Sequence, residues 1–273
     1  IGMLVEAGAI GFTDAERPIH NPELLRRALE YCLMFDKPIL NHPEVLELTH
    51  DGIMHDGLLS MILGLKGLPT EAEDMMTARD LRLAEATGGR LHLMNISSAE
   101  SVELIRRAKA RGVIVTAEVS PHNFSLTDES LRSFNSNCKV NPPLRDQRCI
   151  EACVAGLQDG TLDVIASSHA PRASEKKMQE LDQAPFGISA LETALALVIS
   201  ELIEPGHLDW DSALEKLTVN PARVLGLAKG TLEIGADADV TIIDPHHQWT
   251  VTRSSFRSKS CNTPYLGRSL KGR

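Results

Sequence analysis

Aromatic side chains are scarce in this chain, at 4% of its residues. Its core must therefore rest on Leu, Ile, Val, Ala and Met. There is no Cys-x-x-Cys, and the five cysteines (Cys32, Cys138, Cys149, Cys153 and Cys261) are scattered. Cys149 and Cys153 stand four apart on an expected helix, where two small buried residues explain them better than a pair of thiol ligands. Such cysteine usage fits a reducing, cytoplasmic setting. No apolar run approaches the ~20 residues of a membrane-spanning helix, and the start lacks the pattern of a signal peptide. A formal net charge of −9 argues against wholesale binding to nucleic acid or to a membrane surface. No Gly-x-Gly-x-x-Gly follows the first expected strand and no Walker loop occurs, so dinucleotide binding has little support.

What remains is an alternation. The 273 residues suffice for one large α/β domain, or for such a domain with a small appendage. The chain opens on Ile1 and runs into a helix-like segment, Met3 to Gly8, which reads as the middle of a longer protein whose N-terminal third precedes it. Short apolar runs predict strands at Ala9–Thr13, Pro38–His42, Arg90–Ile96, Val113–Val119 and Asp163–Ser168. Helices are expected between them. Asn21-Pro22 supplies a cap and an N1 proline before Glu23–Phe35. Thr70-x-x-Glu73 and Ser97-x-x-Glu100 read as capping boxes for helices near 71–87 and 98–111, and Gly112 stops the second. Arg148–Leu157, Ile188–Ile203, Asp211–Leu217 and Pro221–Leu225 complete the helical set. Strand–helix alternation of this kind predicts a parallel sheet, doubly wound or part of a (β/α)8 barrel.

After Gly226 the character changes. Gly230–Thr250 shows strand periodicity with turn glycines, as in a small β unit, so the expected division is 1–226 and 227–273. Arg253 to Arg273 carries six basic residues and no acidic one. A solvated, partly frayed tail is the plain reading, and a docking segment for an acidic surface is the alternative.

In a barrel the chemistry sits at the C-terminal strand ends. Those ends read Phe12-Thr13-Asp14-Ala15-Glu16, Leu40-Asn41-His42-Pro43-Glu44, His92-Leu93-Met94-Asn95-Ile96-Ser97, Glu118-Val119-Ser120-Pro121-His122 and Ser167-Ser168-His169. The stretch Ile165-Ala166-Ser167-Ser168-His169-Ala170-Pro171-Arg172 resembles the end of the last barrel strand of the dihydroorotases, metal-dependent amidohydrolases. So do Gly8 to Asp14, Val115 to His122, Lys139-Val140-Asn141-Pro142-Pro143-Leu144-Arg145, Ala184 to Ile188, Gly235 to Asp244 and Asn262-Thr263-Pro264. The resemblance covers almost the whole chain. It implies a partial (β/α)8 TIM barrel, strands four to eight, with part of a flanking β-sandwich. It also implies the family reaction, which interconverts dihydroorotate and N-carbamoyl-L-aspartate through zinc-bound hydroxide and a carboxylate proton shuttle.

Carried over residue by residue, that set is mostly replaced. The strand-one His-x-His is not in the chain. The strand-four acidic ligand falls on Ala15, the strand-six histidine on Asn95 and the strand-eight aspartate on Ser168. His42 is retained at the strand-five position, either as a lone ligand or as a pocket histidine; a catalytic zinc usually needs three protein ligands. Asn141, a substrate contact in the family, is retained, although a turn before Pro142 also explains an asparagine. Arg172 stands at a substrate-holding histidine, and Asn123 departs from a common His-His pair. Glu16, beside the lost ligand, could serve only after a register shift. His92, three residues from Asn95, is expected on the opposite face, against a helix. Ser168 and His169 are neighbours and face opposite ways, so they form no dyad.

The expectation is a stable barrel with zinc absent or substoichiometric. Replacing ligand carboxylates removes the cost of burying them unpaired. The favoured function is a non-catalytic dihydroorotase homologue that partners aspartate carbamoyltransferase as a homo- or hetero-oligomer. One alternative is a weakly active zinc-dependent cyclic amidohydrolase. Another is a metal-free pocket that senses a small dicarboxylate or ureido ligand through Asn141 and Arg172. Strands four to eight alone would leave two open sheet edges, so the isolated piece is expected to aggregate readily.

Overall fold

A computed structural model describes residues 1–15 and 17–273. Five short strands form one parallel sheet: β1 (Phe12–Thr13), β2 (Ile39–Asn41), β5 (Leu91–Leu93), β6 (Val115–Val119) and β7 (Val164–Ile165), adjacent in that order. The remaining strands lie outside it. β3 (Met54–His55) and β4 (Gly67–Leu68) make a parallel pair, and β8 (Gln248–Thr250) and β9 (Ser269–Lys271) an antiparallel one. Each predicted strand of the sheet is present but shorter than its apolar run. Helices Pro22–Cys32, Glu71–Thr87, Ala99–Ala110 and Gln147–Gln158 follow successive strands, as βα units require. This is the α/β fold of a partial barrel.

The sheet has two unlike faces because strand side chains alternate. Ile39, Leu91, Leu93, Val115, Ala117 and Val119 face the helices, packing with Leu25, Leu29, Leu81, Val102 and Ile105 in one buried cluster. His92, Thr116 and Glu118 point the other way. His92 Nδ1 lies 2.8 Å from Thr116 Oγ1, and Nε2 lies 3.0 Å from Glu118 Oε2. The expectation that His92 packs against a helix is therefore corrected. Counting by twos from Asn95 fails because β5 ends at Leu93 and Asn95 turns out with φ +54°.

Helix starts follow the sequence signals in part. Asn21 Oδ1 accepts from Glu23 N at 2.9 Å, with Pro22 in the first turn. The expected box at Thr70 does not form, because Glu73 is committed elsewhere. Its carboxylate accepts the backbone N–H of Ser97 at 3.0 Å and of Ser98 at 2.9 Å. The cap of the next helix is accordingly Ser98, not Ser97. Arg145 completes this buried network: Nη1 donates to Leu68 O at 2.7 Å and Nε to Ser97 Oγ at 3.1 Å.

The C-terminal part departs from its reading in two ways. Between Gly230 and Thr250 only Gln248–Thr250 is a strand, and Ile234, Val240 and Ile242 stand exposed. Strand periodicity before Gln248 meets no partner strand among the described residues. The basic end is not frayed. Val251, Tyr265 and Leu270 are buried with Leu144, Ile188, Ala196 and Leu197 in a second cluster, while Arg268 and Lys271 pair with Glu201 and Glu204. Among the described residues no helix is long and apolar enough to cross a membrane.

Candidate functional site

The C-terminal ends of the sheet strands open into a cavity of about 470 Å³, within the range of small-ligand sites. Ala15, His42, Asn95, Asn141, Ser168 and Arg172 all line it. Residues scattered from Ala15 to Arg172 are thus brought to one place by the parallel sheet.

The first strand end is fixed by Asp14, which is buried. Its Oδ1 accepts His42 N at 2.8 Å and its Oδ2 accepts Ile19 N at 3.0 Å. The carboxylate beside Ala15 therefore secures backbone and leaves the cavity to a methyl group. Glu16 lies outside the described residues. At the second strand end His42 Nε2 stands 3.4 Å from Glu44 Oε2, and Asn141 Nδ2 donates to the same oxygen at 3.0 Å. Burial pushes the Glu44 carboxyl upward, but hydrogen bonds from His42, Thr49 and Asn141 outweigh it and leave the pKa lowered. Glu44 is thus an ionised group at the wall. Behind it Asp80 is fully buried; burial raises it to about 6 against the pull of Arg79 and of Asn41, whose Nδ2 donates at 3.1 Å.

The next strand ends carry a neutral cluster. Ser120 Oγ donates to Asn95 Oδ1 at 3.0 Å, and the Ser168 hydroxyl, with one proton to donate, lies against both Asn95 Oδ1 and Ser120 Oγ. Asn95 and Ser168 both hold left-handed backbone, with φ +54° and +47°. Such conformations in non-glycine residues are uncommon and gather at functional sites. His122, two residues beyond Ser120, is 2% exposed and among the described residues its Nδ1 has no partner. Burial alone lowers its pKa to about 4, so the ring is neutral at ordinary pH. His169 turns away from Ser168: its Nδ1 accepts the N–H groups of Ala190 at 3.2 Å and Leu191 at 3.1 Å, at a helix start.

Zinc chemistry needs a different donor set. Among the described residues no three His, Cys, Asp or Glu side chains stand together to hold a metal. At the positions where the resemblance expects ligands, only His42 is an imidazole; Ala15 offers a methyl group, and the Asn95 carbonyl oxygen is in contact with the Ser120 and Ser168 hydroxyls. These residues do not fit a catalytic zinc centre.

Glu44, Ser120 and His122 belong to the site but were not singled out by sequence. Glu44 lies two positions past His42, and Ser120 and His122 flank Pro121 at a strand end; position at strand ends was the available signal. Asn123, which departs from the family pair, is buried and donates to Pro143 O at 3.3 Å.

Comparison with known proteins agrees with this architecture. Residues 5–266 match the amidohydrolase family. The chain is 53% identical over 272 residues to the dihydroorotase of Pelotomaculum thermopropionicum, covering 100% of this chain and 64% of that protein. It is 50% identical over 272 residues to the dihydroorotase of Syntrophus aciditrophicus, again covering 64% of the relative. The solved L-hydantoinase (dihydropyrimidinase) from Arthrobacter aurescens superposes with a TM-score of 0.87 at 25% identity, over 99% of this chain and 63% of that one. The chain thus spans a little under two thirds of these relatives. With the family matched across nearly its whole length, this chain belongs to the amidohydrolase family.

Proposed function

We propose that this chain is part of a dihydroorotase-like protein of pyrimidine biosynthesis that has lost the ring-opening chemistry and serves in the cytoplasm as a structural partner of aspartate carbamoyltransferase. Its relatives in Pelotomaculum and Syntrophus carry the dihydroorotase name. The observation that carries the loss of activity is the Asn95–Ser120–Ser168 cluster. Neither an amide nor a hydroxyl is a base near neutral pH, so no group at Ser168 can shuttle the proton that a carboxylate would. The kept frame supports a scaffolding role, because the buried clusters that hold the barrel and the C-terminal strands do not depend on those positions. Assembly as a homo- or hetero-oligomer belongs to the same reading.

Elemental analysis of the full-length protein tests the metal, with well below one zinc per subunit expected. A stoichiometric, chelator-resistant zinc would overturn the proposal. Restoring Ala15→Asp, Asn95→His, Ser168→Asp and Arg172→His together should recover zinc binding and some dihydroorotate hydrolysis, since positioning is most of what a metal site asks of its scaffold. A folded quadruple variant without zinc would break the residue mapping. Co-elution with aspartate carbamoyltransferase tests the partnership.

The alternative is a weakly active zinc-dependent cyclic amidohydrolase. It is favoured by two buried imidazole nitrogens without partners, Nδ1 of His42 and of His122, in the same cavity.

A further inference from the structure

The connection from β2 to the helix Glu71–Thr87 carries a small unit of its own. β3 and β4 pair in parallel, and between them runs the helix Leu58–Leu63. The strands are tied to the interior: Arg145 Nη1 donates to Leu68 O at 2.7 Å and stands 3.3 Å from His55 Nδ1. The helix is fixed at each end. Gly57 N–H donates to Ser60 Oγ at 3.0 Å and the Ser60 hydroxyl donates to Gly57 O at 2.8 Å. Gly64 closes the last turn with φ +68°. The inner face of the helix is buried. Leu59 joins Ile53, Met54 and Leu131 in the second cluster, and Leu63 packs against it.

The outer face is apolar as well. Leu58, Met61 and Ile62 are 72%, 72% and 60% exposed, and they are the only exposed residues of this helix. Their i, i+3, i+4 spacing sets them on one stripe. A surface helix ordinarily turns polar residues outward. Single apolar side chains are common at a surface, whereas a wholly apolar face marks an interaction site. The 3₁₀ helix Asp128–Ser133 lies alongside and ends on Phe134, itself 53% exposed. Two opposite charges frame the stripe. Asp56 precedes the helix and Lys66 follows it, and because β3 and β4 run parallel with the helix returning between them, the two stand at its opposite ends. Both are exposed, and among the described residues neither has an ion-pair partner. Turned end for end about a twofold axis, this helix sets its stripe on the same stripe of another copy and each Asp56 beside the other copy's Lys66. A second copy thus matches the apolar face and both charges by symmetry.

We propose that the outer face of helix Leu58–Leu63 is a self-association surface, paired antiparallel about a twofold axis with the same helix of a second copy, with Asp56 and Lys66 setting the direction of the pairing. The inference rests on the homo-oligomer of the proposed function and not on its loss of chemistry. Three side chains from each copy make a small patch, so the dimer is reversible rather than obligate. The rigid seat of the helix favours it, since little order has to be created on association.

The test is sedimentation velocity of the full-length protein, alone, over a concentration series. A monomer–dimer equilibrium is expected. Met61→Lys and Ile62→Glu should each raise its dissociation constant about tenfold or more. Asp56→Lys and Lys66→Asp should each weaken the dimer several-fold at low salt, and the double swap should restore it, which a merely structural loss would not do. Each variant is compared only after circular dichroism shows the parent's fold. Met61→Cys asks least of the fold and gives a second reading: oxidised glutathione should yield a covalent dimer that the parent does not form. A protein monomeric at every concentration would overturn the inference. So would a dimer indifferent to Met61→Lys and Ile62→Glu, single swaps that the double swap does not rescue, or a Met61→Cys protein that sediments as a dimer yet does not cross-link. A monomer whose co-elution with aspartate carbamoyltransferase is lost in Met61→Lys would also overturn it, assigning the stripe to that enzyme and leaving the proposed function standing. A dimer broken by Met61→Lys in a protein that never co-elutes with the carbamoyltransferase would leave this inference standing and overturn the proposed partnership.

Discussion

The two walls of one cavity have opposite characters. At the ends of β5, β6 and β7, Asn95, Ser120 and Ser168 are short, neutral and bonded to one another. Elsewhere on the lining the Arg172 backbone is held by Asn262, and Lys139 and Lys177 are buried close by. One part of the lining is neutral and the other gathers positive charge. Both can differ so far on one scaffold because neither holds the scaffold up. The sheet is secured from its other face, where Leu91, Leu93, Val115, Ala117 and Val119 pack on helices. Removing a charge from a strand end therefore costs the fold little, and adding one asks only for a built support.

That support is the place where the contrast breaks most easily. Asn262→Ala strips partners from Arg172 N–H, Gly187 O and the Ser189 hydroxyl, all around a side chain that is 5% exposed. A loss of about 2–4 kcal/mol is expected in urea unfolding. A change under about 0.5 kcal/mol would mean that the charged wall needs no clamp.

Next in size is acid. His122 keeps a neutral ring down to about pH 4 in the fold, against an ordinary value of 6.5. Between those values the unfolded chain takes a proton that the fold does not, so stability falls as pH falls. His122 contributes fully above pH 6.5, and about 2–3 kcal/mol is lost by pH 4. Asp80, raised to about 6 from 3.8, acts in the opposite sense below pH 6, over most of that window. The measurement is therefore the difference between the parent and His122→Asn, followed from pH 7 to 4. Parallel curves would show that His122 is not the group responsible.

Ser168→Asp asks whether the neutral wall tolerates a charge by itself. It would set a carboxylate against the Asn95 carbonyl oxygen and beside Ser120 with no cation supplied. A cost of about 1–3 kcal/mol near neutral pH is expected, shrinking as the solution is acidified and the new carboxyl takes its proton. A variant as stable as the parent at pH 7 would show that a counter-ion reaches this wall.

The last test concerns Lys177. Burial lowers its pKa to about 8 from 10.5. The fold holds fewer protons than the unfolded chain between those values, so stability rises with pH there. Lys177→Met should flatten that alkaline rise, read as the difference in melting temperature between the two proteins at pH 8 and 10. An unchanged slope would remove Lys177 from the charged wall.

Much of the frame was legible because each element follows a local rule. Asn21-Pro22 starts a helix wherever it stands, and the apolar runs at 39–41, 91–93 and 115–119 became strands. Local rules failed where a side chain had a better offer from far away. Glu73 forsakes its own helix start for Ser97 and Ser98, and the Thr70 box is lost with it. The face of His92 was misread because Asn95 reverses the alternation with a left-handed backbone. The pocket residues were found through motif resemblance, yet Glu44 and His122 were not singled out, although both lie in strand-end stretches: position there marks a stretch and not which of its polar residues faces the cavity.

What the sequence by itself determined is the alternation of strand and helix, the family motifs and the residue types at Ala15, Asn95 and Ser168. These are matters of residue type and spacing along the chain. Only the tertiary structure decided what those side chains do. Hydrogen bonding between Asn95, Ser120 and Ser168 depends on three strand ends meeting. The seat of Arg172 depends on Asn262, 90 positions away. Charge and hydrogen-bond balance are set by distances through space, which a linear chain does not contain until it folds.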